Sequence, residues 1–304
     1  MPKFDLAGHR KIWFLISALI IIPGIICMFV RGFNFGIDFT GGTIIDLKFA
    51  QPVTIAEVRT SLAKYGLDGS TIQLSGAQSD VTSSEDVMIR TTDLEEDQRK
   101  EVMATLKQDV GDYTVLREEK VGATIGGELI TNALEALVIS WALIILYVAY
   151  RFEWKFGVAA VLALIHDILI VLSVFSLTQR QIDSSFIAAL LTIVGYSIND
   201  TIVIFDRIRE NLRLHFRRNG DVNALVNTSV YQTLTRSLYT VFTVLFTTFA
   251  LYFFGGETTK DFAFALLVGF GVGCYSSIFI ASPLWIVFRG WSEKRHAAKV
   301  AAAK

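Results

Sequence analysis

The chain has 304 residues, 52% of them hydrophobic and 19% charged, with a mean hydropathy of +0.48. A water-soluble domain carries roughly 45–50% apolar and about 25% charged residues, so the composition excludes a soluble globule, and with it disorder, a collagen-like fibre and a disulfide-stapled scaffold. Twenty-eight Lys+Arg against 29 Asp+Glu leave a net charge of −1, which offers nucleic acid no basic surface. What remains is a polytopic α-helical membrane protein.

A spanning helix needs about 20 mostly apolar residues. Six stretches meet that requirement: 12–30, 129–149, 156–177, 184–205, 237–254 and 262–288. The first follows Arg10-Lys11 as a secretory signal would. Its apolar run exceeds the usual length of about 7–15 residues, and Arg31-Gly32-Phe33-Asn34 shows no small-x-small cleavage pattern. It reads as a retained transmembrane helix.

Between the first two spans, residues 31–128 hold 10 Lys+Arg and 17 Asp+Glu, too long and too charged for a loop. Thr43–Phe49 has strand character, and Thr54-Ile55-Ala56-Glu57 is a capping box opening a helix expected to end near Gly66. Ser70–Leu74 and Val87–Thr91 follow as short strands, and Asp93-Leu94-Glu95-Glu96 caps a second helix through about Val110, with Gly111 as its stop. Tyr113–Arg117 closes the set. The order β-α-β-β-α-β is the ferredoxin-like split unit, an α+β domain. The chain divides accordingly into 1–30, the inserted domain 31–128, the helices of 129–288, and a basic tail, 289–304.

Basic residues concentrate in 1–11, 150–155, 206–236 and 289–304, which hold three, two, six and five Lys/Arg, whereas the loops near 178–183 and 255–261 hold one each. The positive-inside rule then places both termini in the cytoplasm and the acidic domain on the periplasmic or external side. Cys27 and Cys274 both lie in apolar runs and read as small hydrophobes.

The six core stretches contain no Lys or Arg and three carboxylates, Glu135, Asp167 and Asp200. A charge near a helix centre costs about 2.5–3.5 kcal/mol on insertion scales, and such residues face a bundle interior or a wet cavity. Asp200 sits in Val194-Gly195-Tyr196-Ser197-Ile198-Asn199-Asp200-Thr201, the most polar run of any span, about 9 Å inside Asp206. It either glues helices together by hydrogen bonds or carries protons. His166-Asp167, near mid-depth in the third span, admits the same two readings, and side chains about 100° apart on a helix need not touch. Glu135, nearer the outer end, reads as an interfacial residue. Arg236 opens the fifth span; with a helix start near Thr228 it lies about 12 Å in, at a depth similar to Asp200. It either pairs with that carboxylate or snorkels to the interface.

Gly269-x-Gly271-x-Gly273 contains the GxxxG spacing of close helix packing and follows no strand, so a nucleotide fingerprint is not expected. No Walker A, H-E-x-x-H or G-x-S-x-G sequence and no metal-spaced Cys/His cluster occurs, so neither an enzyme nor a cofactor is expected.

Several segments resemble the SecD/SecF family of protein-export membrane proteins, on its smaller, SecF side, over essentially the whole chain. They are Phe33-Asn34-Phe35-Gly36-Ile37-Asp38-Phe39-Thr40-Gly41-Gly42-Thr43, Val121–Leu129, Ala163-Leu164-Ile165-His166-Asp167, Ile193–Asn211, Thr233–Leu238 and Phe254-Gly255-Gly256. The resemblance marks Gly36, Asp38, Gly41, Gly42, Gly195, Asp206 and Arg207 as motif positions. It implies a half-transporter of the resistance–nodulation–division type in the bacterial inner membrane, paired as a heterodimer with SecD. With SecD it would use the proton-motive force to help preproteins leave the SecYEG channel after the ATPase SecA has driven them in. The family's membrane aspartate and arginine fall on Asp200 and Arg236, so Asp200, Arg236, Asn199, Asp167 and His166 are the candidate proton-coupling residues. The H+ gradient would be the energy source and membrane lipid the surroundings. Sodium is an alternative ion, because Ser197, Asn199, Asp200 and Thr201 all carry oxygen donors. Two other functions compete: a passive scaffold, and a proton-driven small-molecule efflux subunit, for which a 98-residue external domain is small. Gly41-Gly42 reads as a tight turn in preference to a hinge.

Overall fold

The computed structural model describes residues 5–75, 83–151, 153–215 and 220–302; Lys3, Arg217, Arg218 and Lys304, counted above among the basic residues, lie outside them. The chain forms two compact units, one of residues 1–34 with 135–304 and one of residues 35–134.

The described residues include six helices long and apolar enough to cross a membrane. They are α1 (Arg10–Arg31), α5 (Ala123–Arg151), α6 (Trp154–Thr178), α7 (Ser184–His215), α8 (Val222–Phe254) and a last span built from α9 (Glu257–Ser276), a π-helical turn (Ser277–Ala281) and α10 (Ser282–Ala302). These helices outrun their apolar cores. α7 and α8, of 32 and 33 residues, are each about 50 Å long against a hydrocarbon core of about 30 Å. The expected start of α8 near Thr228 is corrected to Val222: the Asp221 carboxylate accepts from the Asn223 backbone N–H at 2.9 Å and caps the helix earlier. The basic tail is helical as far as Ala302, because α10 continues the last span into it.

Small residues set the helix spacing. A Cβ on Gly24 of α1 would fall 2.1 Å from Ser173 Cβ of α6, and one on Gly269 of α9 would fall 2.2 Å from Ile193 Cδ1 of α7. Van der Waals packing at such crossings holds membrane helices together where lipid removes the hydrophobic drive. α5 differs: Val138, Leu143, Leu146 and Tyr147 are all exposed along it.

The second unit realises the expected βαββαβ order. A short helix α2 (Ile37–Thr40) leads to β1 (Gly42–Thr54), α3 (Ile55–Ala63), β2 (Thr71–Ser75), β3 (Ser83–Thr91), α4 (Glu96–Asp109) and β4 (Tyr113–Val121). The strands make an antiparallel sheet in the order β2-β3-β1-β4, with Leu47 opposite Val87 and Ile45 opposite both Ile89 and Glu118. Ile45, Leu47 and Phe49 alternate onto one face, where they join Val87, Ile89 and Ile72 under Val58 and Leu62 of α3 and Val102 and Leu106 of α4. On the opposite face Ile37 of α2 packs on Ile44 and Met88.

The Thr54–Glu57 capping box forms as expected, with both reciprocal bonds present. The second cap does not: α4 starts at Glu96 behind Glu95, with no side-chain cap, because Asp93 instead pairs with Lys120 Nζ at 2.8 Å. Gly42 has φ +139°, and a Cβ there would fall 2.5 Å from the Thr91 carbonyl oxygen, so the Gly41-Gly42 pair is a tight turn that no larger residue fits.

Candidate functional site

Two aspartates are buried inside the helical unit, and their surroundings differ. Asp167 of α6 is 1% exposed. Its Oδ2 accepts from Ser197 Oγ of α7 at 2.6 Å and from Ser276 Oγ of α9 at 2.8 Å. Its Oδ1 lies 3.0 Å from His166 Nδ1, so the two adjacent side chains do touch despite their 100° offset. His166 Nε2 in turn lies 2.8 Å from Ser17 Oγ of α1, and Ser17 lies 3.4 Å from the Tyr275 hydroxyl, which donates to the Trp13 carbonyl at 2.8 Å. One carboxylate thus draws α1, α6, α7 and α9 onto a continuous polar chain, with every oxygen satisfied.

Asp200 of α7, 8% exposed, is held on one side only. Its Oδ1 accepts from Ser237 Oγ of α8 at 2.5 Å, while its Oδ2 is buried with no hydrogen-bond partner. Arg236, one residue before Ser237, is near enough to act on Asp200 through its charge, yet it is exposed and forms no ion pair among the described residues. Of the two readings left open for Arg236, a pair with Asp200 or a snorkelling side chain, the pair is not formed among the described residues, and a neutral hydroxyl donor meets Asp200 instead. The rotation of α8 explains the difference: it turns Ser237 into the bundle and leaves Arg236, one residue earlier and about 100° away, exposed.

The other expected positions are dispersed. Asn199 and Gly195 are exposed on the outer face of α7, and a Cβ on Gly195 would meet nothing within 4 Å. Ser197 faces α6, Asp200 faces α8, and Thr201 bonds to Ser277 Oγ at 2.8 Å, so the four oxygen-bearing side chains of this run point to different neighbours instead of converging. Asp206 pairs with Arg209 at 3.0 Å; Arg207 pairs with Glu210 at 2.7 Å and donates to Gln232 Oε1 of α8 at 2.6 Å. Gly36, Asp38, Gly41 and Gly42 belong to the inserted unit, flanking or within α2 and β1. Glu135 is exposed. Cys274 is buried and Cys27 donates to the Ser176 carbonyl at 3.3 Å; both are free thiols.

Serine side chains are what the sequence reading missed. Ser17, Ser237, Ser276 and Ser277 are all buried within apolar helices and make the bonds that define the site. A hydroxyl inside a run of Leu, Ile and Phe is a signal, though a weak one, since helical serines also bond to their own backbone. The π turn was likewise unannounced. It follows the Gly269–Gly273 series directly, and Ser282 Oγ donates back to the Ser277 carbonyl at 3.1 Å, reaching a backbone oxygen five residues earlier. Such turns are frequent at functional sites.

Six apolar spans enclosing two buried carboxylates, with a βαββαβ domain inserted after the first, define a multi-pass membrane protein of the inserted-domain type. Residues 101–291 match the model of the SecD/SecF C-terminal protein-export membrane family, and residues 28–53 match the SecD/SecF GG motif. A protein translocase subunit SecF of Acidaminococcus fermentans is 52% identical over 95% of this chain and 98% of its own length. The fused translocase subunit SecDF of Thermus thermophilus is 38% identical over 98% of the chain and 40% of its own length. A crystal structure of SecDF from that genus superposes with a TM-score of 0.84 at 39% identity, covering 95% of this chain and 39% of that one. The chain belongs to the SecD/SecF family.

Proposed function

We propose that this protein is a subunit of the Sec protein-export machinery that works with SecD and couples the proton-motive force to late steps of preprotein translocation. The observation that carries the coupling is Asp200: a buried carboxylate with one oxygen held by Ser237 and the other without a partner. A side chain half-satisfied in a low-dielectric bundle is poised to exchange a proton, whereas a purely structural one would be bonded on both sides. One proton crossing 100 mV releases about 2.3 kcal/mol, enough to bias a two-state rearrangement. The Asp167–His166–Ser17 chain is the natural second station, at similar depth and joined to the same helix through Ser197.

Pairing with SecD is supported by the fused relatives, in which this chain corresponds to 40% of the length. The outer face of α7 and α8 supports it too. Asn199, Arg236 and Thr240 are exposed there on spans that lipid alone would cover poorly, and a second helical half is the fitting cover. SecYEG and, through it, SecA are the further partners in this reading. Both termini lie in the cytoplasm and residues 31–128 outside, as the Lys/Arg distribution of the short loops directs.

The test is export of a preprotein in inverted membrane vesicles with proton and sodium gradients imposed separately. Asp200→Asn and Arg236→Met are expected to keep the SecD complex assembled and to abolish the gradient-dependent part of export. Export that stays fully gradient-sensitive in both variants refutes the coupling. Loss of the complex instead favours a scaffold, and dependence on sodium alone replaces the ion.

A further inference from the structure

The loops joining α6 to α7 and α8 to α9 lie at the end of the helical unit opposite the basic loops, and Arg180 is the single Lys or Arg of the first of them. Its guanidinium is held on three sides. Nη1 donates to Asp261 Oδ1 of α9 at 2.7 Å, and Nη2 donates to the Tyr252 hydroxyl of α8 at 2.8 Å. The central carbon lies 4.0 Å from the centre of the Phe264 ring of α9. Asp261 Oδ2 accepts in turn from the Gln181 backbone N–H at 3.3 Å. With side chains 25% and 29% exposed, the ion pair is largely enclosed.

Gln179, one residue earlier, closes α6 with φ +52°, in the left-handed region that side chains rarely adopt. Its Nε2 donates to the Ser176 carbonyl at 2.7 Å and to the Gly32 carbonyl at 3.4 Å, and its own carbonyl accepts from Asn34 Nδ2 at 3.0 Å. Gly32 and Asn34 belong to the stretch by which the chain leaves α1, and Asn34 is the last residue of the helical unit before the inserted one begins. Two adjacent residues therefore fasten α8 and α9 on one side and the exit of α1 on the other.

We propose that Arg180 is a positioning residue for the coupling: through it, a shift of α8 reaches the chain that leads into the inserted domain. This role rests on the coupling proposed for Asp200. Ser237, the partner of Asp200, and Tyr252 share α8 and stand about 22 Å apart along its axis. α8 contains neither proline nor glycine over its 33 residues, the usual causes of a bend, so the two positions move together. Contiguous bonds of this kind carry coupling between distant sites when one of them has two arrangements. A side chain that only neutralised Asp261 would need no second bond; the one to Tyr252 is what connects the loop to α8. The planar fork suits this task, because its N–H groups reach two acceptors in fixed directions, whereas a lysine ammonium is a point donor on a flexible stem.

The experiment uses the full chain with SecD and takes two readouts together. One is the gradient-dependent part of preprotein export in inverted membrane vesicles. The other is the Asp200-dependent proton flux of the same complex in proteoliposomes, read by an enclosed pH-sensitive dye. Tyr252→Phe removes only the hydroxyl and leaves the Arg180–Asp261 pair. It and Arg180→Met are expected to lower gradient-dependent export about fivefold or more, the low end of coupling between distant sites. Flux is expected to stay within about twofold of the parent, because the carboxylate that exchanges the proton is untouched. Arg180→Lys, which keeps the charge facing Asp261, is expected to retain intermediate export. Unchanged gradient-dependent export in Tyr252→Phe, beside its loss in Asp200→Asn, overturns the role of Arg180 and leaves the coupling standing. Flux that falls in step with export also overturns it, since the cluster then only holds the bundle together. Gradient-dependent export that survives Asp200→Asn overturns the coupling itself, and the role of Arg180 with it.

Discussion

The three glycines of α9 make a graded experiment on the packing that holds the site. At Gly269 an added Cβ falls 2.2, 2.3 and 3.0 Å from the Cδ1, Cγ1 and Cγ2 atoms of Ile193. Ordinary carbon contacts begin at about 3.5 Å, so the helices must part by more than 1 Å or Ile193 must change rotamer. Ile193 is fully buried and has nowhere to turn. Overpacking of this kind costs about 1–3 kcal/mol. At Gly273 the same atom meets Ser197 Cβ at 3.0 Å and Oγ at 3.3 Å. That conflict is smaller, but it presses on the hydroxyl that donates to Asp167. At Gly271 nothing lies within 4 Å, and alanine gains about 1 kcal/mol of helix propensity. Thermal unfolding of the purified chain in detergent should therefore rank Gly271→Ala at or above the parent, Gly273→Ala below it and Gly269→Ala lowest. Gly273→Ala should also reduce gradient-driven export by more than its loss of stability explains. Equal destabilisation at Gly269 and Gly271 would show that the close face of α9 has been misassigned.

Two predictions concern the inserted domain, both read by amide hydrogen exchange in the intact protein. Thr54→Ala removes the Oγ1 that accepts from the Glu57 N–H, and should cost α3 about 1 kcal/mol, seen as faster exchange in its first turn with α4 unchanged. Asp46, half-buried on the sheet face opposite the core, has its carboxyl pushed above the usual range by burial, against the opposing pull of Arg117 and Arg90. The folded domain therefore binds this proton more readily than the unfolded chain: the favourable contribution is full below the ordinary aspartate value near 4 and is lost as pH rises through the raised folded value. Asp46→Asn should accordingly protect the sheet at neutral pH and flatten its pH dependence above about 4; a variant less protected at pH 7 than the parent would reverse the sign.

The spans and the βαββαβ order were legible because each rests on a local pattern: twenty apolar residues, a period of two in Thr43–Phe49, a capping box at Thr54, glycines at 66 and 111 with φ of +70° and +140°. Asp167 and Asp200 were legible as well, since a carboxylate in an apolar helix stands out on cost alone. Their partners were not. Ser237 rather than Arg236 meets Asp200, and which of two adjacent residues faces inward depends on the rotation of α8, set by its packing along 33 residues and not by the Thr-Leu-Thr-Arg-Ser segment. The start of α8 was missed for a related reason: Asp221 caps a polar turn that the hydropathy pattern does not mark. Asp93 shows the converse, a plausible local cap diverted to Lys120 by the tertiary fold.

The contrast between the two buried aspartates has a mechanical consequence. Asp167 accepts from Ser197 of α7 and Ser276 of α9 and meets His166 of its own helix, whereas Asp200 accepts from Ser237 of α8 alone, so under the proposed coupling a change of charge at Asp200 disturbs fewer bonds and is the easier one to repeat in a cycle. The π turn lies on the side of α9 that serves both: Ser276 bonds Asp167, and Ser277 bonds Thr201, the residue after Asp200. A regular α-helical path through Ser277–Ala281 would advance everything beyond it by about 100°, so Ser282 Oγ could not keep its bond to the Ser277 carbonyl five residues back. Motion that begins when the Ser237–Asp200 bond changes can reach Asp167 by way of α7 or of α9, where this turn lies. The turn, with the Ser277 carbonyl bonded by Ser282 Oγ, is the place where a discrete two-state shift is structurally available.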